Sequence, residues 1–257
     1  MLTEAEIRAH DDQRTLGPDA EAELLRLLAR HLPASGRLLD AGGGSGALVH
    51  VLRRLGAQVL VCDLDAAMLQ VAASRCPGVP LVQADLTALP LPDATVDGVH
   101  LSNVLHLVPD WRRALIELAR VLRPAGALVV KTGGGASGLA EQLSSAAYQR
   151  SPLPVRRNDL SAPEQLDPVL AELGLHLQEQ CALPTTQHAT LRQLTDRLAD
   201  NPFHLPGTGT QRRAAAEAAL ASLEQDPDLT VKVTVTGHYR AYARQDGVGK
   251  PRGGPAR

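Results

Sequence analysis

A short apolar run, Leu38-Leu39, leads into Asp40-Ala41-Gly42-Gly43-Gly44-Ser45-Gly46 and then into the apolar-rich stretch 47–55. Strand, glycine turn and helix in immediate succession make the first half of a βαβ unit, and no other feature constrains the fold as much. Glycines after a strand let the backbone come close to a ligand and leave the first N–H groups of the following helix pointing at it. Gly42-x-Gly44-x-x-Ala47 also satisfies the dinucleotide fingerprint, with Ala in the last place. The loop alone therefore leaves its ligand open, down to a tight turn that holds none.

The same alternation continues along the chain. Leu24, Leu27, Leu28 and Leu32 predict an amphipathic helix over 19–32, with Pro18-Asp19 as its start signal. Gln58 to Cys62 reads as a second strand ending at Asp63-Leu64-Asp65, where Asp65 caps a helix bearing Met68, Leu69, Ala72 and Ala73. A third strand near Pro80 to Gln83 ends at Ala84-Asp85, and a fourth runs from Val96 to about Leu101. Asp110 opens a helix striped by Trp111, Leu115, Leu118, Ala119 and Leu122, which Pro124-Ala125-Gly126 ends before the strand Ala127 to Val130. Such alternation implies an α/β fold, a mostly parallel sheet with helices on both faces.

Beyond this point the pattern loosens. A helix is expected over 161–173 and a strand around 176–183. Val231, Val233 and Val235, alternating with Lys232, Thr234 and Thr236, mark a half-buried strand that Gly237 bends or interrupts. The stretches 133–160 and 184–228 fit no element well and are expected to be insertions forming a lid or substrate walls. The Gly-, Pro- and Arg-rich tail, 247–257, is expected to be disordered.

Three acids fall at the C-terminal ends of successive strands: Asp40, Asp63 and Asp85. In an open α/β sheet these ends converge on one crevice. Asp63 is suited to accept both hydroxyls of a ribose, and Asp85 the exocyclic amine of an adenine, with Leu64 and Leu86 against the ring. Composition narrows the alternatives. The 257 residues carry a net charge of -2 and are 2% aromatic, which excludes a basic, base-stacking nucleic-acid surface. Three scattered cysteines make neither a disulfide framework nor a zinc knuckle, no histidines are spaced as metal ligands, and a cytoplasmic setting is expected. Neither a leader nor an apolar membrane span is read in the chain, so no membrane partner is expected.

Leu38 to Gly46, Val61-Cys62-Asp63-Leu64-Asp65 with Met68-Leu69, Ala84-Asp85-Leu86 with Leu89-Pro90-Leu91, Val96-Asp97-Gly98-Val99, Ser102-Asn103-Val104-Leu105-His106 and Val121-Leu122-Arg123-Pro124-Ala125-Gly126 follow one another over about 38–132. In this order they resemble the class I S-adenosylmethionine-dependent methyltransferases, in the broad group that acts mainly on small molecules. The resemblance implies a Rossmann-like, seven-stranded sheet with an antiparallel last strand. It implies that Asp40, Ala41, Gly42, Gly44 and Gly46 hold the methionine part of S-adenosyl-L-methionine, that Asp63 binds the ribose beside Leu64, and that Asp85 and Leu86 bind the adenine edge. Ser102 would face the sulfonium, and S-adenosyl-L-homocysteine would be the product. Gly43, where Cys or Thr is commoner, and Ala125, in place of the first glycine of a Pro-Gly-Gly turn, depart from the pattern.

A methyl transfer of this kind is an in-line displacement in which positioning carries much of the catalysis, and a base is needed only for an acceptor that arrives protonated. His106, just past the fourth strand, is the candidate base; a loop histidine bonded to backbone is its alternative. Tyr148, Phe203 and His204 are candidates for touching the acceptor, and His188 and Arg14 are weaker ones. His100 is expected to be structural, inside the fourth strand. The domain expected is 1–246, with a cofactor-binding core over about 19–133 and a substrate and lid portion over about 134–246. The chain is expected to need no metal, to bind no nucleic acid, and to act as an EC 2.1.1-type enzyme on a small-molecule acceptor. An NAD-type oxidoreductase and a cofactor-binding protein without turnover are the alternatives.

Overall fold

In a computed structural model, which describes residues 3–12, 16–134, 136–151, 153, 158–160, 162–202 and 205–244, the apolar runs form one sheet. Its strands are β1 (Arg37–Ala41), β2 (Gln58–Asp63), β3 (Leu81–Gln83), β4 (Val96–Ser102), β5 (Leu122–Thr132), β6 (Leu175–Thr190) and β7 (Thr230–Arg244), in the order β3-β2-β1-β4-β5-β7-β6. The first five are parallel. β7 runs antiparallel to both of its neighbours, β5 and β6. β1 lies between β2 and β4, so the strand order reverses there and a crevice opens above the C-terminal ends.

The helices are α1 (Glu4–Asp12), α2 (Pro18–His31), α3 (Val49–Arg53), α4 (Ala66–Arg75), α5 (Trp111–Val121), α6 (Leu139–Arg150), α7 (Leu166–Glu172), α8 (Leu191–Asp200) and α9 (Gly209–Ser222). Local chemistry sets their starts. The Asp65 carboxylate accepts from Ala67 N and that of Asp110 from Arg113 N, while Thr190 and Thr208 each form a capping box with the glutamine three residues on. Trp111, Leu115 and Leu118 of α5 pack with Val99, Leu101 and Val130 on one face of the sheet. Leu24 and Leu28 of α2 pack with Leu38, Val129 and Tyr239 on the other. Leu143, Leu191, Leu198, Leu205 and Ala216 form a third core with Val233, away from the parallel strands.

Four expectations change. α5 ends at Val121, and Leu122 already belongs to β5, whose register against β4 shifts between Val96 and Gly98. Arg123 to Gly126 bulge outward there, with Ala125 at φ 61°. The strand expected over 176–183 continues to Thr190, and 184–190 pair with 230–236 as the outer part of one hairpin, so the second insertion is shorter than expected. Pro184 is tolerated because β6 is an edge strand. β7 passes through Gly237 without interruption. The glycine instead leaves room for Lys131, whose Cε would lie 2.7 Å from a Cβ at that position. The tail 247–257 lies outside the described residues.

Candidate functional site

The glycine loop is shaped by three left-handed glycines, Gly42 (φ 64°), Gly44 (φ 55°) and Gly46 (φ 72°), a conformation that side chains resist. Close packing adds a second constraint at Gly42, where a Cβ would sit 2.6 Å from Val104 Cγ2. Gly43 N donates to Cys62 O at 3.1 Å, which ties the loop to β2. Asp63, at the end of that strand, accepts from Gly44 N through Oδ2 at 2.8 Å and from Asp65 N through Oδ1 at 2.9 Å. Each carboxylate oxygen keeps a further lone pair. Burial raises the Asp63 carboxyl above its ordinary range, and these two backbone donors partly oppose the rise.

Leu64 follows with its side chain 65% exposed, an apolar surface at the rim of the crevice. Asp85 is exposed and its Oδ1 accepts from Thr87 N and Oγ1, each at 2.8 Å, which orients the carboxylate at the end of β3. Leu86 departs from expectation: its side chain lies in the core with Leu89 and Val99, leaving Leu64 as the exposed apolar face. Ser102 closes β4, half-buried and in register with Lys131. Asn103 follows at φ 54°, its N–H donating to Lys131 O at 3.1 Å.

His106 sits in a single 3₁₀ turn, Leu105–Leu107, half-buried above β4. Asn158 clamps this turn, its Nδ2 donating to Leu105 O and Val108 O at 2.6 Å. Tyr148 of α6, partly buried, packs against the third core with α8 and α9. His188 lies on β6, exposed and opposite Lys232, so it is a strand residue and not a loop one. Phe203, His204 and Arg14 fall outside the described residues. His100 is buried in β4 as expected, with a partner on β1 just before the glycine loop: its Nδ1 lies 2.8 Å from Asp40 Oδ1.

Sequence reasoning missed α1. Its Asp11 accepts from Ser45 Oγ at 2.6 Å and from Arg75 Nη1 at 2.7 Å, and the same Arg75 nitrogen reaches Ser45 O at 3.2 Å. α1 also meets the helical cluster, near both of its ends. Arg212 Nη2 donates to Glu6 Oε1 at 2.9 Å, and Asn201 Nδ2 is 3.1 Å from His10 Nδ1. The helix buries one large apolar side chain, Ile7, too little for a periodic stripe. A signal was nevertheless present in Thr3-x-x-Glu6, the reciprocal N-terminal pair seen in Thr3 N to Glu6 Oε2 and Glu6 N to Thr3 Oγ1.

The crevice therefore combines a glycine cradle, a carboxylate beside it, an exposed apolar rim residue and a polar strand end, a set that fits an adenosyl cofactor. Residues 39–130 match a family model described as "Methyltransferase domain". Over this segment the chain is similar to methyltransferase domains. Over 128 residues it is 36% identical to a demethylmenaquinone methyltransferase of Clavibacter sepedonicus, covering 48% of this chain and 52% of that one. It is 40% identical over 95 residues to a protein of Mycobacterium tuberculosis named a probable S-adenosylmethionine-dependent methyltransferase, covering 37% of this chain and 35% of that one. The YcgJ protein of Bacillus subtilis has a similar fold, with a TM-score of 0.61 at 17% identity, covering 90% of this chain and 100% of that one. The chain spans about half the length or less of the curated relatives it matches. The segment matched by the family model runs from β1 to β5, the parallel part of the sheet and its loops.

Proposed function

We propose that this chain is a methyltransferase that uses S-adenosyl-L-methionine to methylate a small organic acceptor, with residues 1–246 acting as one unit in the cytoplasm. The observation that carries the proposal is Asp63, placed at the end of β2 with one carboxylate oxygen on the glycine loop and further lone pairs for a ribose. The names of the relatives support the cofactor in one case and a quinone-type acceptor in the other.

Bound there, the cofactor would supply an electrophilic methyl group on a sulfonium. The residues around it have simple tasks. Ala41 and Gly42 offer backbone groups to the methionine end, with Asp40, Gly44 and Gly46 setting the loop that carries them. Leu64 covers one face of the adenine and Asp85 accepts from its amine, beside the backbone of Leu86. Ser102 faces the reacting end. His106, fixed by the Asn158 clamp, accepts a proton from an acceptor that carries one. The larger share of the rate comes from alignment and exclusion of water, worth about 7–11 kcal/mol in favourable cases. α1 and the third core supply the cover for this.

Calorimetric titration with S-adenosylmethionine, S-adenosylhomocysteine and NADH tests the proposal. Binding of both adenosyl ligands, followed by transfer of labelled methyl to a metabolite pool, is the expected result. NADH binding without adenosyl binding would replace the proposal with an oxidoreductase, and adenosyl binding without turnover on any acceptor would reduce it to a cofactor-binding protein.

A further inference from the structure

His100 has no task in the scheme above, yet it is 0% exposed and its partner Asp40 only 3%. The two stand opposite each other where β1 and β4 pair. A carboxylate only accepts, so the 2.8 Å contact is His100 Nδ1–H donating to Asp40 Oδ1. Nε2 of the same ring has no hydrogen-bond partner among the described residues, so the ring is held through this one bond and its packing. The other carboxylate oxygen lies directly beneath the loop. A Cβ at Gly43 would fall 2.6 Å from Asp40 Oδ2 and 2.9 Å from Val61 Cγ1. The carboxylate, turned by His100, thus occupies the volume that a side chain at position 43 would need. Asp40, Gly43 and His100 form one packed unit, and the backbone it supports, Ala41 to Gly44, is the part assigned to the methionine end of the cofactor.

We propose that His100 is a positioning residue for cofactor binding: by holding the Asp40 carboxylate under the glycine loop, it fixes the loop backbone that faces the cofactor. This rests on the methyltransferase reading of the site. The donor is what matters, so an amide near the place of Nδ1 can substitute for the ring and an apolar side chain of similar bulk cannot.

The test is calorimetric affinity for S-adenosylhomocysteine in the full chain, with circular dichroism and thermal unfolding monitored in parallel. His100→Leu is expected to weaken binding at least tenfold, while His100→Asn stays within about threefold of wild type even where its Tm is lowered. Gly43→Ala, which presses on the carboxylate from above, is expected to weaken binding about tenfold as well, and it keeps the test alive where His100→Leu fails to fold. Nitrogen-15 NMR of the histidine rings in the wild-type chain needs no variant and is expected to find a proton on His100 Nδ1. A folded His100→Leu that binds like wild type, a folded His100→Asn that loses as much as His100→Leu, or an unprotonated Nδ1 would each overturn the inference. Failure of the wild-type chain to bind any adenosyl ligand would instead overturn the reading of the site, and the NMR result would still decide the pairing.

Discussion

The two halves of the molecule are built on different logic. In the first, strands β1 to β5 run parallel, the central β1 and β4 buried on both faces, and end in loops with specific local chemistry: left-handed glycines, Asp63 with two backbone donors, Asp85 in a tight turn. In the second, α6, α8 and α9 pack on the outer part of the β6–β7 hairpin through leucine, alanine and valine, with chemistry that many sequences satisfy. The recognised segment, residues 39–130, stops where this change occurs. On the proposed function, a site for a shared cofactor would constrain residue identity, whereas a cover over the acceptor would constrain only volume and pattern.

The largest effect that sharpens this contrast is chemical. Burial, with the Asp63 charge beside it, pushes the Cys62 thiol up to about 12. At pH 8 the native chain should therefore alkylate at Cys62 roughly a thousandfold more slowly than a free thiol. Cys181, half-buried on the hairpin, should react first, as peptide mapping after timed iodoacetamide would show; equal rates would mean that the cofactor half opens as readily as the hairpin.

Next in size, Leu143→Ala should cost about 2–5 kcal/mol by leaving a cavity in the third core. Hydrogen exchange should then rise in α6, α8 and α9 but not in β1 or β4. A uniform rise would erase the distinction between the halves. Asp63→Ala should weaken adenosylhomocysteine binding by about 3 kcal/mol, roughly a hundredfold, through lost charge-assisted hydrogen bonds. Acid should do the same reversibly. Because burial raises the Asp63 carboxyl, its ionised form costs the fold stability above the folded pKa, and this cost is absent below the unfolded one. The hydroxyl-accepting form is therefore lost as pH falls through the raised value, and affinity should fall with it in wild type but stay flat in Asp63→Asn. The smallest effect is Asp65→Ala, which removes the cap of α4 and should lower stability by about 1 kcal/mol in urea titration without changing the m-value.

Legibility in the sequence followed the same division. The parallel strands, the caps at Asp65 and Asp110 and the period-2 pattern of β7 could be read because one-dimensional periodicity and turn chemistry determine them. The length of β6 could not: Thr185 to His188 alternate half-buried and exposed, Ala189 alone is buried, and only pairing with β7 makes the stretch a strand. Leu86 looked like a ligand face because a strand-end leucine in a loop is indistinguishable, in sequence, from one that folds back into the core. α1 was missed since its partners, Ser45, Arg75, Asn201 and Arg212, are distant in the chain and polar. His100 read as structural, and its link to Asp40 depends on β1 and β4 lying side by side, a fact of topology and not of either motif.

The long hairpin has one more consequence. Leu183 and Gly237 face each other across the β6–β7 ladder, and the chain between them, the outer ribbon with α8 and α9, lies beyond the stretch in which β7 pairs with β5. Such partners lie about 4.5–5.5 Å apart, close enough for a two-residue turn to join them. Closing the chain there would remove the outer ribbon with α8 and α9, and with them the surface on which α6 packs and the partners of Glu6 and His10 in α1.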